Sequence, residues 1–233
     1  INVNTGRIVI DAEANDYRKA WVFSEGLAAV KRAGKVGFIN AENEVVIPFQ
    51  FDYSYKCRMW DFAYLFHNGY CIMTSKEGDL GLIDKGGNWV VEPEYDEIWA
   101  PHSSGYRVIV KNGKHGVLDS NCAVVYPVEY GHIDILSDGF VLTKGGKRWQ
   151  EDFEGNITQP FMFDGTYDLR YPNGYDCCGD LVYELADFVQ YEVMNSYGIM
   201  NRITGEPITP AIYSDINMLS KNLLEVQESD SYD

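Results

Sequence analysis

The sequence has few basic residues and no long apolar run. Lys and Arg number 19 against 35 Asp and Glu, which gives a formal net charge of -16. Nucleic acids and anionic membrane surfaces are bound mainly through clustered cations, so this charge argues against both as partners. The apolar runs are a handful of residues long, far short of the ~20 that a membrane-spanning helix needs. We therefore expect no nucleic-acid partner and no direct membrane insertion.

Cysteine motifs and a signal peptide are also missing. Five cysteines cannot all pair within one chain, and none stands in a CxxC spacing. This favours reduced thiols and a reducing compartment, although export stays open. The chain begins at Ile1 without a methionine, which favours a processed form or a fragment of a longer protein. The compartment is therefore left unassigned.

The motifs of common catalytic sites are absent as well. HExxH, GxSxG and GxxxxGK[ST] do not occur in the sequence. The histidines share no metal-ligand spacing: His67, His102, His115 and His132. We therefore expect no cofactor and no metal, and an enzyme is the less favoured class.

A short pattern, however, recurs along the whole chain. KVGFINAENEVVIPFQFD, residues 35–52, holds two apolar alternations separated by a polar turn and stopped by a proline. The interval from such a proline to the residue before the next apolar strand is 12 positions in three places: Pro93 to Gly105, Pro127 to Gly139 and Pro210 to Asn222. A fixed period is the signature of a repeat array.

Each repeat predicts a three-stranded antiparallel meander. The first strand alternates apolar and other residues, as in Tyr106–Val110. A polar turn follows, and the second strand starts at a glycine such as Gly116. A second turn leads to the third strand, which contains a proline. Because proline has no N–H, we expect it to end that strand. The predicted single domain, 1–233, has six units at about 1–36, 37–80, 81–115, 116–148, 149–197 and 198–233.

Such units can be arranged in an open array or in a closed ring. We expect an all-β fold whose three-stranded units form an open, solenoid-like superhelix, because propeller blades usually have four strands. A six-bladed propeller is the alternative, since closure protects the terminal edges. An aromatic residue follows each proline, and we interpret these rings as plugs between adjacent units. They are Phe51, Tyr95, Tyr130, Phe163 and Tyr213.

Three segments around the junction of the first and second repeats resemble a known family, the bacterial WG repeat. They are Phe23–Lys31, Gly34–Asn40, and Pro48 with Phe51–Asp52. In that family a Lys-Trp-Gly turn is followed by an aromatic residue, Ile, Asp and Gly, and the repeat closes on Ile-Pro and Tyr-Asp. Here the tryptophan slot holds Val36, Leu80, His115 and Tyr197, and Trp149 occupies a glycine slot. The resemblance implies an all-β array of a bacterial protein and no catalytic residues.

The period is broken by two insertions, between Pro48 and Gly69 and between Pro160 and Asp187. Insertions in a repeat map to loops, where function is grafted onto a scaffold. Aromatic rings in these two inserted loops are suited to hold a sugar face or a peptide. The candidate ligand-binding residues are Tyr53, Tyr55, Trp60, Tyr64, Tyr167, Arg170, Tyr171 and Tyr175. The alternative is that the rings fold onto the array and fill a satellite core.

Two functions follow from this organisation. A regular repeat array without a recognisable catalytic motif favours a non-catalytic recognition or scaffold module, which binds a protein or glycan partner. The alternative is a carbohydrate-active hydrolase that uses paired carboxylates, which 35 acidic residues readily supply.

Overall fold

The computed structural model describes residues 9–54 and 63–229. In these two ranges the regular elements are β-strands, and none is a helix. The strands form five antiparallel sheets of four or five strands, and none of these sheets is closed into a barrel. Because the sheets follow one another along the chain, the predicted all-β repeat array is confirmed. No helix of the described ranges is long and apolar enough to cross a membrane.

The described residues form two compact units. The first contains residues 9–54, 63–112 and 116–128, and the second contains residues 113–115 and 129–229. The division of 1–233 into one domain of six repeats stays a prediction.

Three four-stranded sheets fall wholly or mostly in the first unit. The first sheet contains β1 (Lys19–Ala20), β2 (Ala28–Arg32), β3 (Lys35–Ile39) and β4 (Val45–Asp52). The second contains β5 (Phe66–His67), β6 (Tyr70–Thr74), β7 (Leu80–Ile83) and β8 (Trp89–Tyr95). The third contains β9 (Glu97–Ile98), β10 (Arg107–Lys111), β11 (Lys114–Leu118) and β12 (Val124–Tyr130). In each sheet a short strand is added before the three strands that the sequence predicts.

The repeat glycines lie opposite a bulge in the fourth strand. In the first sheet Val36 pairs with Phe51 and Phe38 pairs with Ile47, so β4 has two more residues than β3 between these pairs. The extra backbone folds over Gly37. The second sheet has the same register shift between β7 and β8, so the bulge belongs to the repeat.

The bulge explains both the glycine and the proline. A Cβ atom on Gly81 would lie 2.5 Å from the carbonyl oxygen of Val91 and 2.9 Å from the nitrogen of Pro93, so only glycine fits. Pro93 lies inside β8, and Pro48 lies inside β4. The expectation that proline ends the strand is therefore wrong. An edge strand tolerates proline at a bulge, where no ladder hydrogen bond is lost, and pairing resumes beyond it.

One core joins the sheets of the first unit. Phe38 of β3 and Ile109 of β10 are both fully buried in it. Phe51, one of the predicted plugs, meets Trp89 of the next sheet edge to face, with 5.6 Å between the ring centroids. Tyr95, another predicted plug, is 8% exposed and belongs to the same core. The plug interpretation is confirmed for these two aromatic residues.

The second unit contains two further sheets. The fourth sheet has β13 (His132–Ile135), β14 (Gly139–Lys144), β15 (Lys147–Asp152) and β16 (Ile157–Gln159). The fifth has β17 (Gly165–Tyr175), β18 (Leu181–Val193), β19 (Ser196–Asn201), β20 (Tyr213–Ser220) and β21 (Leu223–Glu228). Two predicted plugs are only half-buried here, Tyr130 and Tyr213. The plug interpretation is wrong for Phe163, which is 43% exposed.

The second inserted segment is a hairpin and not a loop. Its residues form β17 and β18, which pair along most of their length. β19 pairs with β20 only through Tyr197 and Tyr213, and β20 contacts β17. The two hairpins β17–β18 and β20–β21 therefore enclose a small core, which includes Leu169, Tyr171 and Ile216.

The predicted repeat boundaries coincide with one strand of each sheet. They fall inside the third strand in every case, that is in β3, β7, β11, β15 and β19. Each sheet therefore takes its strands from two consecutive repeats. This interlocking ties neighbouring repeats together through backbone hydrogen bonds as well as through side-chain packing.

Candidate functional site

The first inserted segment contributes a packed aromatic cluster. The Tyr64 ring lies 4.5 Å from Trp21 and 6.1 Å from Tyr53 between ring centroids. Tyr64 is 2% exposed, and its hydroxyl accepts a hydrogen bond from the Ser54 nitrogen at 3.1 Å. Its ring therefore fills the core of the first unit, as the packing alternative predicts.

Two lysines cover the exposed side of this cluster. The Lys31 Nζ atom lies 4.2 Å from the centre of the Tyr53 ring, and Lys19 Nζ donates to the Tyr53 hydroxyl at 3.1 Å. Such cation–π contacts stabilise the ring from its open face. The two remaining candidates, Tyr55 and Trp60, lie outside the described residues. Ligand binding by this segment stays a prediction.

The hairpin β17–β18 is anchored along one face. Leu169 and Tyr171 of β17 are 7% and 6% exposed and pack with Ile216 of β20. The Tyr171 hydroxyl donates to Glu184 Oε2 at 2.8 Å across the hairpin. This hydrogen bond lowers the pKa of Glu184 and raises the pKa of Tyr171. Glu184 therefore accepts this hydrogen bond as a carboxylate, and the bond holds the Tyr171 hydroxyl in place.

The opposite side of the hairpin exposes apolar side chains. Cross-strand partners share a face, so the pairs next to Tyr171 and Glu184 point away from the core. We call this surface the hairpin face. It consists of Arg170, Pro172, Tyr175, Leu181, Tyr183 and Leu185. Tyr175 is 72% exposed, Tyr183 is 52% exposed, and the two leucines are each 47% exposed.

The tip of the hairpin is a tight, carboxylate-centred turn. Asp176 Oδ1 accepts hydrogen bonds from the nitrogens of Asp180 and Cys178, at 3.0 and 2.8 Å. These backbone donors lower the pKa of Asp176. Gly179 has a φ of +87° there, a value that favours glycine. The turn thus ties the two strands together at the exposed end, beyond a register shift between Pro172 and Tyr175.

The base of the hairpin is closed by polar contacts. The Tyr167 hydroxyl donates to Glu192 Oε2 at 2.6 Å, and Asp168 Oδ1 accepts from Arg202 Nη1 at 2.7 Å. Of the candidate residues in this segment, Tyr171 is therefore part of a core and Tyr167 is tied to its own hairpin. Arg170 and Tyr175 lie on the hairpin face.

Pro172 and three residues of β18 on the hairpin face were not among the sequence candidates. The three are Leu181, Tyr183 and Leu185. Their alternation with Val182 and Glu184 is a strand signal that the sequence does contain. A strand pattern alone does not reveal which of its two faces is covered, so this surface needed the tertiary structure to be found.

Metal chemistry receives no support from side-chain geometry. Within residues 9–54 and 63–229, no group of three or more His, Cys, Asp or Glu side chains could hold a metal ion. His102 Nδ1, for example, forms a hydrogen bond of 2.7 Å with the Ser104 hydroxyl. His132 Nε2 lies 3.1 Å from Asp134 Oδ1.

Comparisons with solved structures give only distant likenesses. PorZ, a bacterial surface component of the type-IX secretion system of Porphyromonas gingivalis, is 8% identical with a TM-score of 0.33, over 92% of this chain and 31% of PorZ. A eukaryotic initiation factor is 10% identical with a TM-score of 0.34, over 86% and 67% of the two chains. The N-terminal domain of Nup159 is 12% identical with a TM-score of 0.32, over 90% and 72%. The chain spans less than a third of the length of PorZ. TM-scores this low do not support an inference about function.

A family comparison is more informative. No curated protein matches the chain significantly. The WG containing repeat matches four segments, residues 1–35, 37–77, 81–114 and 197–232. They cover more than half of the chain. The chain therefore belongs to the WG-repeat family.

Proposed function

We propose that this WG-repeat chain is a non-catalytic recognition module that binds a protein partner through the hairpin face. The observation that carries the proposal is the exposure of four large apolar side chains on one side of a hairpin whose other side is anchored. Tyr175, Leu181, Tyr183 and Leu185 are between 47% and 72% exposed. Contiguous exposed apolar surface marks interaction sites, and aromatic residues are enriched in them.

The charge around the hairpin face defines the chemistry of the partner. Residues 165–193 contain one basic residue, Arg170, and six carboxylates: Asp168, Asp176, Asp180, Glu184, Asp187 and Glu192. The whole chain carries a net charge of -16. A complementary protein surface therefore combines apolar side chains with lysine or arginine at its rim.

The rigidity of the hairpin supports binding without a large ordering cost. Leu169 and Tyr171 fix its inner face, and the turn at Asp176 fixes its tip. A surface that is held in place before binding loses less conformational entropy when a partner arrives.

The hydrogen bonds of the hairpin argue against the hydrolase alternative in this region. A general acid needs a raised pKa, whereas hydrogen bonds lower the pKa values of Glu184 and Asp176.

The proposal is tested with synthetic peptides and the full chain. A peptide that alternates lysine and leucine has the required chemistry, and a peptide that alternates glutamate and leucine is its charge-reversed control. We expect the lysine peptide alone to bind, with an affinity that falls as salt concentration rises. The triple variant Tyr175→Ser, Tyr183→Ser, Leu185→Ser should weaken binding at least about tenfold.

A matched variant controls for the loss of exposed apolar surface in general. Ile203 and Ile208 are 90% and 60% exposed and lie outside the hairpin. Replacing both with serine should leave binding unchanged. Equal loss in both variants, or equal binding of the two peptides, would contradict a specific hairpin face. Binding of a glycan panel that disappears in the triple variant, with no peptide binding, would replace the protein partner by a glycan.

A further inference from the structure

The last strand of the fifth sheet, β21, has an open edge. It pairs with β20 on one side, and on its other side it pairs with no strand of the described residues. An edge strand presents a row of unpaired N–H and C=O groups, which can pair with a further strand. Natural proteins protect such edges, for example by keeping the edge strand short or by placing a proline in it.

The other nine edge strands of the five sheets are protected in one of these two ways. Five of them have four residues or fewer: β1, β5, β9, β13 and β16. The other four contain a proline: β4, β8, β12 and β17. In contrast, β21 has six residues and no proline. Among the described residues it is therefore the one long edge strand without a proline.

The repeat shows which kind of strand pairs with this edge. β21 follows Asn222, which corresponds to Gly26 before β2 and to Gly69 before β6. Both β2 and β6 pair with the next strand along the chain, β3 or β7, which contains the repeat glycine. We call a strand of this kind a glycine strand. In the fifth sheet β18 pairs with the glycine strand β19 in the same way. A glycine strand is therefore the natural complement of β21.

The exposure of Val226 agrees with this assignment. Val226 stands four residues after Asn222. The residues that correspond to it in three other repeats lie opposite the repeat glycine: Val30 opposite Gly37, Met73 opposite Gly81, and Tyr191 opposite Gly198. These three residues are at most 1% exposed, whereas Val226 is 42% exposed. Pairing with a glycine strand would therefore cover Val226, as it covers its counterparts.

Glu228 makes the edge selective for a positively charged strand. In the first sheet Lys35, the first residue of β3, lies opposite Arg32. Glu228 corresponds to Arg32, because each stands six residues after its Asn222 or Gly26. A lysine at the start of an incoming glycine strand would therefore lie opposite Glu228, and opposite charges stabilise cross-strand pairs. Lysine is the first residue of β3, β11 and β15 in this chain.

We infer that the edge of β21 binds an extended segment of another WG-repeat chain, namely a glycine strand with lysine two residues before its glycine. The segment adds to the fifth sheet through backbone hydrogen bonds, with its glycine opposite Val226 and its lysine opposite Glu228. This edge shares no residue with the hairpin face. It recognises the backbone of a strand, whereas the hairpin face recognises positive charge and apolar contact.

The test uses the full chain and a fluorescent peptide with the sequence of residues 35–52, KVGFINAENEVVIPFQFD. We expect saturable binding by fluorescence anisotropy and slower amide hydrogen exchange in residues 223–228. Val226→Lys places a charge in the middle of the pairing and should weaken binding at least about tenfold. Val124→Lys is the matched control, because Val124 is 59% exposed on the proline-containing edge strand β12. It should leave binding unchanged.

An exchange of charges tests the register. The peptide variant Lys35→Glu should bind the unchanged chain about fivefold more weakly, because two carboxylates would face each other. The chain variant Glu228→Lys should reverse this preference and bind the Lys35→Glu peptide more tightly than the original peptide. Glu228 is exposed, so this substitution should leave the fold intact.

Several outcomes would overturn the inference: no peptide binding, equal binding by the Val226→Lys variant, slower exchange only outside residues 223–228, or an unchanged charge preference in Glu228→Lys. Dimerisation of the chain that is lost in Val226→Lys, without peptide binding, would replace the partner by β21 of a second copy. Peptide binding that persists in the hairpin-face triple variant supports the inference and separates the two sites.

Discussion

The two units use the same repeat in different ways. In the first, Gly37, Gly81 and Gly116 all face the bulged proline strand, and one core of twenty buried residues joins the sheets. In the second, Trp149 stands in one glycine slot, Gly198 in the next faces the Tyr191 ring, and two separate clusters of five buried residues each pack around the fifth sheet. Where the repeat is regular one large core forms, and where it departs from the pattern a hairpin is left exposed on one face.

The largest expected effect tests the tight packing of the first unit. Gly81→Ala would place a Cβ atom 2.5 Å from the Val91 carbonyl oxygen, and the backbone of the bulge cannot move away without losing its register. We expect the free energy of unfolding to fall by roughly 3 kcal/mol or more, measured by urea denaturation.

A glycine of the second unit is the matched control. A Cβ atom on Gly165 would lie 3.6 Å from its nearest neighbour, the Tyr167 hydroxyl. Gly165→Ala should therefore change stability by less than about 1 kcal/mol. If Gly81→Ala were tolerated equally well, the bulge would not be the reason for the repeat glycine.

A second experiment compares the two faces of the hairpin β17–β18. Leu169 is 7% exposed on the anchored face, and Leu185 is 47% exposed on the hairpin face. Leu169→Ala should cost about 2–4 kcal/mol of stability because it leaves a cavity against β20. Leu185→Ala should cost less than about 0.5 kcal/mol. Equal losses, measured by thermal or urea unfolding, would mean that both faces are covered in solution.

A smaller effect concerns Tyr191, which packs against Gly198. Its hydroxyl donates to the Thr209 carbonyl at 2.6 Å, and burial raises its pKa from 10.0 to about 12. Tyr191→Phe should cost about 1 kcal/mol at neutral pH, because the hydrogen bond is lost.

The raised pKa of Tyr191 also predicts that the stability difference between the unchanged chain and Tyr191→Phe depends on pH. A pKa that is higher in the folded state than in the unfolded state contributes stability that is fully present below pH 10 and is lost as pH rises towards 12. Urea unfolding across this range should therefore show the advantage of the unchanged chain over Tyr191→Phe shrinking with pH. A constant difference would mean that Tyr191 ionises as easily in the folded protein as in the unfolded chain.

Much of the fold was predictable because it depends on short-range patterns. The glycine at position 81 and the alternation of residues 106–110 predict strands and turns, and the period predicts an array. The bulge at Pro93 was not predictable in the same way. A missing N–H is compatible with either the end of a strand or a bulge on an edge strand, and only the register with β7 distinguishes the two.

The candidate sites were predictable only in part. Arg170 and Tyr175 lie on the exposed face of the hairpin, whereas Tyr64 and Tyr171 fill cores. An aromatic residue in an insertion carries the same sequence signal whether it packs inward or outward.

The amino-acid sequence by itself determined the repeat and the alternation of its strands and turns, because these follow from hydrophobic alternation and turn residues over a few positions. The tertiary structure decided which face of the long hairpin is covered by β20. That choice depends on contacts between residues far apart in the chain, and no local pattern encodes it.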